Sequence, residues 1–315
     1  MDETIIAGND PLCCRAQGSI PCVPSVVALG FFDGVHLGHG ALLRLTAAIA
    51  AREGWRSVAL TFDRCPGKDG RLLNTVEDRV RLIREGYGIH RVQVLPFTKE
   101  LMAEPWERFL EKLAAKGAIH LVCGWDYHFG WQGRGNPELL RSWCAANGLG
   151  CDVIPRLTID GITVSATFLK TLIEAGDVET AARYYGHPHL LSGVVQQGRR
   201  LGHTMGFPTA NLLPPPELLL PRDGVYAVRG RTEDGMYIGV CNVGTRPTVN
   251  GHRRTVETWL SGFDGDLYGR ELTVEFCRFL REEQKFPSLE ALKAEIFRNR
   301  EDAEAWFAQQ KETKE

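Results

Sequence analysis

The sequence predicts two domains of different class: a doubly wound, Rossmann-like α/β sheet, followed by a small antiparallel β-barrel with a C-terminal helix. Three observations predict this. The chain has 315 residues, more than one typical core accommodates. From Ser25 to Ile173 short β-rich runs alternate with longer amphipathic ones, as in a parallel sheet covered by helices. Beyond about Gly186 the apolar runs are short, alternate with period two and are separated by turn signals, as in antiparallel strands.

In chain order, residues 1–24 show no periodicity and are expected to form a loose extension. Strands are expected at 25–30, 57–62, 91–96, 120–123 and 151–155, and helices at 40–53, 76–87, 104–116 and 136–148, where for example Phe109, Leu110 and Leu113 repeat at helical spacing. Ser165 is placed to cap a helix through Glu174; Gly176-Asp177 breaks it, and a second short helix runs to Tyr185. The domain boundary falls near Gly186, giving domains 25–186 and 187–315. In the second, strands are expected at 190–195, 225–229, 237–241, 255–260 and 272–278, with turns at Glu233-Asp-Gly235 and Asp264-Gly-Asp266. So few strands suit a barrel better than a sandwich, and a helix from Ser288 to about Ala308 is available to cover one side.

Composition narrows the function. Acidic and basic residues nearly balance, 39 against 37, for a net charge of −2, which argues against a general nucleic-acid binder. An anion site must then come from local geometry, and the expected partner is a small phosphorylated molecule. The nine cysteines are odd in number and contain no C-x-x-C pair, so neither a zinc site nor a disulfide framework is indicated. Reduced thiols, an N-terminus without the positive flank and apolar core of a signal peptide, and no run of about 18 apolar residues give the expectation of a soluble cytoplasmic protein with no membrane partner. Oligomeric state leaves no mark in the sequence.

The first candidate site is Ala28-Leu-Gly-Phe-Phe-Asp-Gly-Val-His-Leu-Gly-His39. Gly30 and Gly34 allow a tight turn after a strand, and the helix that follows points unpaired N–H groups and its positive end at the occupant, naturally an anion. His36 and His39, at i and i+3, share the face of that first turn and could donate to phosphate oxygens; capping or packing histidines are the other reading. The second is Gly198-Arg-Arg-Leu-Gly-His-Thr-Met-Gly-Phe-Pro-Thr-Ala-Asn211. Its glycines, Gly198, Gly202 and Gly206, are spaced unlike a Walker loop or a Rossmann fingerprint, and alone would suit a flexible hairpin. Thr209 and Asn211, two residues apart in an extended segment, would point a hydroxyl and an amide oxygen the same way, suiting Mg²⁺ and nucleotide phosphates. The third is Glu257, on a strand whose Thr255, Glu257 and Trp259 share a face opposite Val256, Thr258 and Leu260; the second set suits the interior, and Trp259 beside a carboxylate would raise its pKa.

These motifs resemble the bifunctional riboflavin kinase/FAD synthetase family of prokaryotic type. Gly30-x-Phe-Asp-Gly-Val-His-x-Gly-His39, Thr61-Phe-Asp63, Leu95-Pro-Phe97, Gly124-x-Asp-Tyr-x-Phe-Gly130 and Gly176-Asp177 resemble its adenylyltransferase half, one of the HxGH nucleotidylyltransferases. The 198–211 run, Gly224-Val-Tyr-Ala-Val228, Asn242-Val-Gly-Thr-Arg-Pro-Thr248, Val256-Glu257, Phe263-Asp-Gly-Asp-Leu-Tyr-Gly269 and Phe279-Leu-Arg-Glu-Glu-x-Lys-Phe286 resemble its riboflavin kinase half. The resemblance implies ATP as co-substrate, riboflavin, FMN and FAD as substrates and products, and Mg²⁺. It implies ATP and phosphate contacts at Gly30, Phe32, Asp33, Gly34, Ser165, Thr167, Lys170, Gly198, Arg200, Gly202 and Gly206. Flavin contacts are implied at Asp126, Arg281, Glu282 and Phe286, the metal at Thr209 and Asn211, and catalysis at His36, His39 and Glu257, the last orienting the riboflavin 5′-hydroxyl.

The chain departs from the pattern at two places. Val164-Ser-Ala-Thr-Phe-Leu-Lys170 stands where the family usually has Ile-Ser-Ser-Thr-Arg-Ile-Arg, so Phe168 makes no ionic contact and Lys170 is a point charge without a guanidinium fork. Asp63-Arg-Cys-Pro66 replaces Asp-Pro-His-Pro, so Cys65 stands for a histidine. The main reading is a two-activity enzyme. The alternative keeps the kinase and makes 25–186 a degenerate, regulatory module that binds flavin or nucleotide.

Overall fold

The structure, a computed structural model, describes residues 23–64, 70–196, 209–248 and 251–312. The chain forms two compact units that divide between Ser165 and Ala166, with Leu72–Thr75 counted in the second.

The first unit is a parallel sheet of β1 (Ser25–Leu29), β2 (Arg56–Phe62), β3 (Arg91–Leu95), β4 (Ala118–Gly124) and β5 (Gly150–Ile154), in the order β3-β2-β1-β4-β5. Its helices are α1 (Leu37–Glu53), α2 (Val76–Tyr87), the short α3 (Lys99–Met102), α4 (Trp106–Ala115) and α5 (Pro137–Ala146). Because β1 is central, both of its faces are buried: Val26 and Ala28 pack with Leu43, Ile83 and Val92, while Val27 and Leu29 pack with Leu110, Leu121 and Leu140. The strand order reverses between β1 and β4, which opens a crevice beyond their carboxyl ends. A small hairpin, β6 (Thr158–Ile159) and β7 (Ile162–Thr163), is unmarked by alternation; Asp160 and Gly161 turn it with φ of 51° and 78°, the backbone of a two-residue hairpin turn.

The second unit contains α6 (Ala166–Ala175), α7 (Val178–Tyr185), β8 (His189–Val194), β9 (Ala210–Leu212), β10 (Gly224–Thr232), β11 (Gly235–Thr248), β12 (Gly251–Leu260), β13 (Glu271–Arg281) and α8 (Leu289–Glu312). The six strands form one antiparallel sheet in the order β8-β13-β10-β11-β12-β9. Its edges meet: the chain runs on from β8 to Gln196, whose N–H donates to the Asn211 carbonyl of β9 at 2.9 Å. The expected barrel is therefore a sheet curled onto itself. Tyr226, Val228, Val243, Val256 and Phe276 fill its inside, and α8 lays Ala303 and Phe307 over Val225, Ala227, Val240, Trp259 and Leu280 on the outside.

The sequence reading places α6 and α7 before the boundary, whereas their contacts join them to the barrel. Tyr185 stacks on His189 at 6.0 Å, and Glu179 faces Arg278 at 3.9 Å. Gly176, at φ 78°, lies under the Arg222 side chain, whose Cγ would be 2.7 Å from a Cβ there.

Candidate active sites

The first site grows from the end of β1. After Gly30 the chain turns with Phe32 at φ 56°, Gly34 at φ 77° and Val35 at φ 43°. A β-branched valine in the left-handed region is a genuine outlier, costing on the order of 1–3 kcal/mol, and such strain clusters at working sites. His36 ends the turn and caps α1: its Nδ1 accepts the backbone N–H of His39 at 3.2 Å. With Nδ1 accepting that N–H, the proton of the ring sits on Nε2. The two imidazoles stack with centroids 3.6 Å apart and planes 13° from parallel.

Phe32 is fully buried and meets His39 edge-on at 5.3 Å, so of this expected phosphate contact only the backbone is available and the ring is a support. Burial, the His36 ring and the Arg79 guanidinium hold His39 well below the ordinary histidine value. At neutral pH His39 is thus an uncharged donor, its buried Nδ1 unpartnered among the described residues. Asp33 and Gly34 are buried in the turn itself.

Beyond β4, on the other side of the reversal, Asp126 is exposed. Tyr127 and Phe129 stack beneath it at 5.3 Å. The Thr61–Asp63 and Leu95–Phe97 motifs clasp one another: Asp63 Oδ1 accepts the Phe97 N–H at 2.8 Å, and Phe62 meets Phe97 edge-on at 5.3 Å. The first unit thus gathers Gly30, Phe32, Asp33, Gly34, His36 and His39 into one turn.

Ser165 ends the first unit, while Thr167 and Lys170 ride on α6 in the second, Thr167 exposed and Lys170 half-buried. Phe168 packs edge-on against Tyr184 of α7 at 4.9 Å and 71°. The residue that replaces an arginine of the family pattern is therefore spent on joining two helices.

The second site is a rung across three strands. Register pairs Asn211 of β9 with Glu257 of β12, and Glu257 with Asn242 of β11. Directly opposed residues put their side chains on one face, with Cβ atoms about 4.5–5.5 Å apart. Val256, Thr258 and Leu260 are buried and Glu257 is half-buried, as the alternation predicts. Asn211 donates its Nδ2 to the Thr209 carbonyl at 3.2 Å, which leaves Oδ1 as its ligating atom.

Two residues join this rung that sequence reasoning missed. Asn242 Nδ2 donates to Glu283 Oε1 at 2.9 Å, and the pair lies over Gly244, where a Cβ would fall 2.2 Å from that carboxylate oxygen. Glu282, the expected flavin contact, is exposed and faces Arg222 at 3.7 Å; its neighbour Glu283 is the carboxylate at the rung. Arg281 is bound to α8 through Asn299 at 3.0 Å and Glu295 at 3.2 Å, with Phe286 under its guanidinium at 5.6 Å. It anchors the segment that carries Glu283. Gly198, Arg200, Gly202, Gly206 and Cys65 lie outside the described residues, as does the extension through residue 22.

The comparisons with known proteins match two separate stretches of the chain. A family model described as FAD synthetase matches residues 22–168, and one described as riboflavin kinase matches 185–307. A relative named bifunctional riboflavin kinase/FMN adenylyltransferase from Listeria monocytogenes is 31% identical over 91% of this chain and 93% of its own. Relatives of the same name from Pseudomonas fluorescens and Escherichia coli K12 are 35% and 33% identical, over 86% and 90% of this chain and 89% and 92% of theirs. Among solved structures, one from Streptococcus pneumoniae, described as a macrolide-efflux protein, is similar with a TM-score of 0.78 and 26% identity over 88% of this chain and 92% of that one.

Proposed function

We propose, from the premise that this chain belongs to the bifunctional riboflavin kinase/FMN adenylyltransferase family, that it makes FAD in two ATP-dependent steps. In the barrel unit the riboflavin 5′-hydroxyl oxygen attacks the γ-phosphorus of ATP; a P–O bond forms to the flavin, the bond to ADP breaks, and the hydroxyl proton leaves to a base. In the α/β unit an FMN phosphate oxygen attacks the α-phosphorus of a second ATP, and pyrophosphate departs.

The observation that carries the kinase reading is the Asn211–Glu257–Asn242 rung. It sets one half-buried carboxylate on the face it shares with two amides, where Glu257 can accept the hydroxyl proton. The donor set also suits Mg²⁺, which favours oxygen ligands and keeps few protein ones: the Asn211 Oδ1 and the Thr209 hydroxyl would hold it. When bound, Mg²⁺ would neutralise charge on the ATP phosphates.

For adenylyl transfer, the stacked histidines at the start of α1 supply ring N–H donors where negative charge develops, together with the helix's positive end. Lys170 is the cation read for the position of the family's second arginine, and Asp126 the flavin-side acceptor. The pneumococcal protein's efflux is not carried to this chain, because the residues gathered at both turns suit phosphates and hydroxyls. A cytoplasmic location and small-molecule partners follow from this chemistry.

Glu257→Gln tests the kinase assignment: FMN formation is expected to vanish while ATP binding persists, and full turnover in that variant would remove Glu257 from the mechanism. FAD and pyrophosphate from FMN, ATP and Mg²⁺ test the other half. No FAD from the intact chain would favour the kinase-only reading.

A further inference from the structure

Arg79 is a fully buried arginine that no motif singles out. It comes from α2 and reaches the carboxyl ends of β1 and β2. Its Nη1 lies 3.1 Å from the Phe31 carbonyl, 3.0 Å from Thr61 Oγ1 and 2.9 Å from the Phe62 carbonyl. Thr61 Oγ1 itself donates to the Phe31 carbonyl at 2.6 Å, and the guanidinium lies over the Phe31 ring at 4.4 Å. One carbonyl thus takes two donors, and it immediately precedes the left-handed run Phe32–Val35.

We propose that Arg79, with Thr61, is the positioning residue of the adenylyl-transfer site, clamping the Phe31 carbonyl and so holding the strained turn that presents His36 and His39. The inference rests on reading the first unit as an adenylyltransferase. The physical case is that a valine at φ 43° relaxes unless its surroundings over-determine it. The chain behind it is held by a charge-assisted fan of hydrogen bonds in a buried setting, which is the strong kind. The chain ahead of it is held by the His36 cap and the edge of Phe32.

A lysine does not reproduce the clamp, because all three acceptors gather at Nη1, the far end of a side chain one atom longer than lysine's, and an ammonium has no planar face to stack on Phe31. Arg79 has a second effect through space. Together with His36 it is one of the charged or titratable groups that bear on His39, and it disfavours an imidazolium there. A clamp and a fixed cation in one side chain hold both histidines in place and add to the burial that keeps His39 uncharged before ATP arrives.

The test uses the full chain with Arg79→Lys, Arg79→Met and Thr61→Val, and reads activity, folding and histidine NMR. FAD formation from FMN, ATP and Mg²⁺ is expected to fall about 100-fold in kcat for Arg79→Lys and about 10-fold for Thr61→Val, as misplacements of up to an ångström cost. Riboflavin kinase turnover, carried by the other unit, is expected to stay at the parent value, and thermal unfolding followed by circular dichroism reports the folding of the first unit. In Arg79→Met, histidine NMR is expected to show the His39 titration moving up in pH, and by more than in Arg79→Lys, which keeps the positive charge. Parent-level FAD formation in Arg79→Lys and Thr61→Val, or a His39 titration unmoved in Arg79→Met, would overturn the proposal. If Arg79→Met does not fold, the two milder variants decide through kcat. If the parent chain makes no FAD, the adenylyltransferase reading fails, and the clamp is decided by the contact between the His36 and His39 rings, read by NMR, which is expected to be lost in Arg79→Met and kept in the parent.

Discussion

Gly38→Ala separates the stability of α1 from the geometry of its histidine cap. Gly38 is a helical glycine between the two histidines, and a Cβ there would lie 3.1 Å from His36 Cε1 and 3.2 Å from Nδ1, with the Val164 carbonyl at 3.8 Å. Ordinary carbon contacts begin near 3.5 Å, so the ring must yield by a few tenths of an ångström. Replacing a helical glycine by alanine contributes about 0.8–1 kcal/mol of stability. Loss of the His36 Nδ1 cap to His39 N–H costs about 1 kcal/mol if the ring swings away. The two terms nearly cancel, and the expected shift in thermal midpoint is within about 3 °C, at roughly 2–4 °C per kcal/mol for a unit of this size.

The rate does not cancel. A displaced His36 carries its Nε2 with it and breaks the 3.6 Å stack on His39, and a partial misplacement of this size is expected to cost about 10-fold in adenylyl transfer. Initial rates of FAD and pyrophosphate release, read beside riboflavin kinase turnover on the same sample, measure this. Unchanged FAD formation in Gly38→Ala would refute the argument that ring placement matters. A fall in thermal midpoint well beyond about 3 °C would show unfolding of the first unit and not ring displacement.

Lys170→Ala is expected to lower FAD formation by about 10² to 10³, as for loss of one transition-state donor, with Lys170→Arg recovering most of it; steady-state rates check both. Glu283→Ala and Asn242→Ala are expected to lower kinase kcat by about 10-fold each, with the double variant no worse than either, because the two act through one 2.9 Å bond; a double-mutant cycle on kcat reads the coupling. His189, buried against Tyr185 and Phe276, is held down to about 3 by burial first and by His187 second. It is neutral in the native state, so below about pH 6.5 the unfolded chain binds the extra proton and stability falls as pH falls, by up to about 1.4 kcal/mol per pH unit. His189→Phe is expected to flatten this acid limb by about 2 kcal/mol between pH 6.5 and 5, read as the pH dependence of thermal unfolding, whatever its offset at neutral pH.

The fold was legible because its signals are local. Alternating β and amphipathic runs locate all five parallel strands and their four principal helices, with β1 at Ser25–Leu29 and α2 at Val76–Tyr87 close to where periodicity puts them. The α6–α7 pair shows the limit: helical periods announce both helices, yet whether they pack forward or backward depends on Tyr185 meeting His189, a contact no period encodes. Strand β9 is three residues long and owes its place to pairing with Val256–Thr258. Glu283 is another case, since which of two adjacent glutamates turns to Asn242 is set by the space that Gly244 leaves open.

Both candidate sites follow from how each sheet ends. In the parallel unit every strand delivers its carboxyl end to one edge, so the turn after β1, the Asp126 turn after β4 and Thr61 at the end of β2 lie along that edge, on loops that no strand ladder holds in register. Such a site must be braced from behind, and its cost appears as positive φ at Phe32 and Val35. In the antiparallel unit the side chains of Asn211, Glu257 and Asn242 are aligned by register alone, and the backbone needs no strain to present them. Loss of a bracing residue should therefore damage adenylyl transfer far from the reacting atoms, while the kinase site should be sensitive mainly to the members of its own rung. That difference is why the positioning residue proposed above, Arg79, is sought in the first unit.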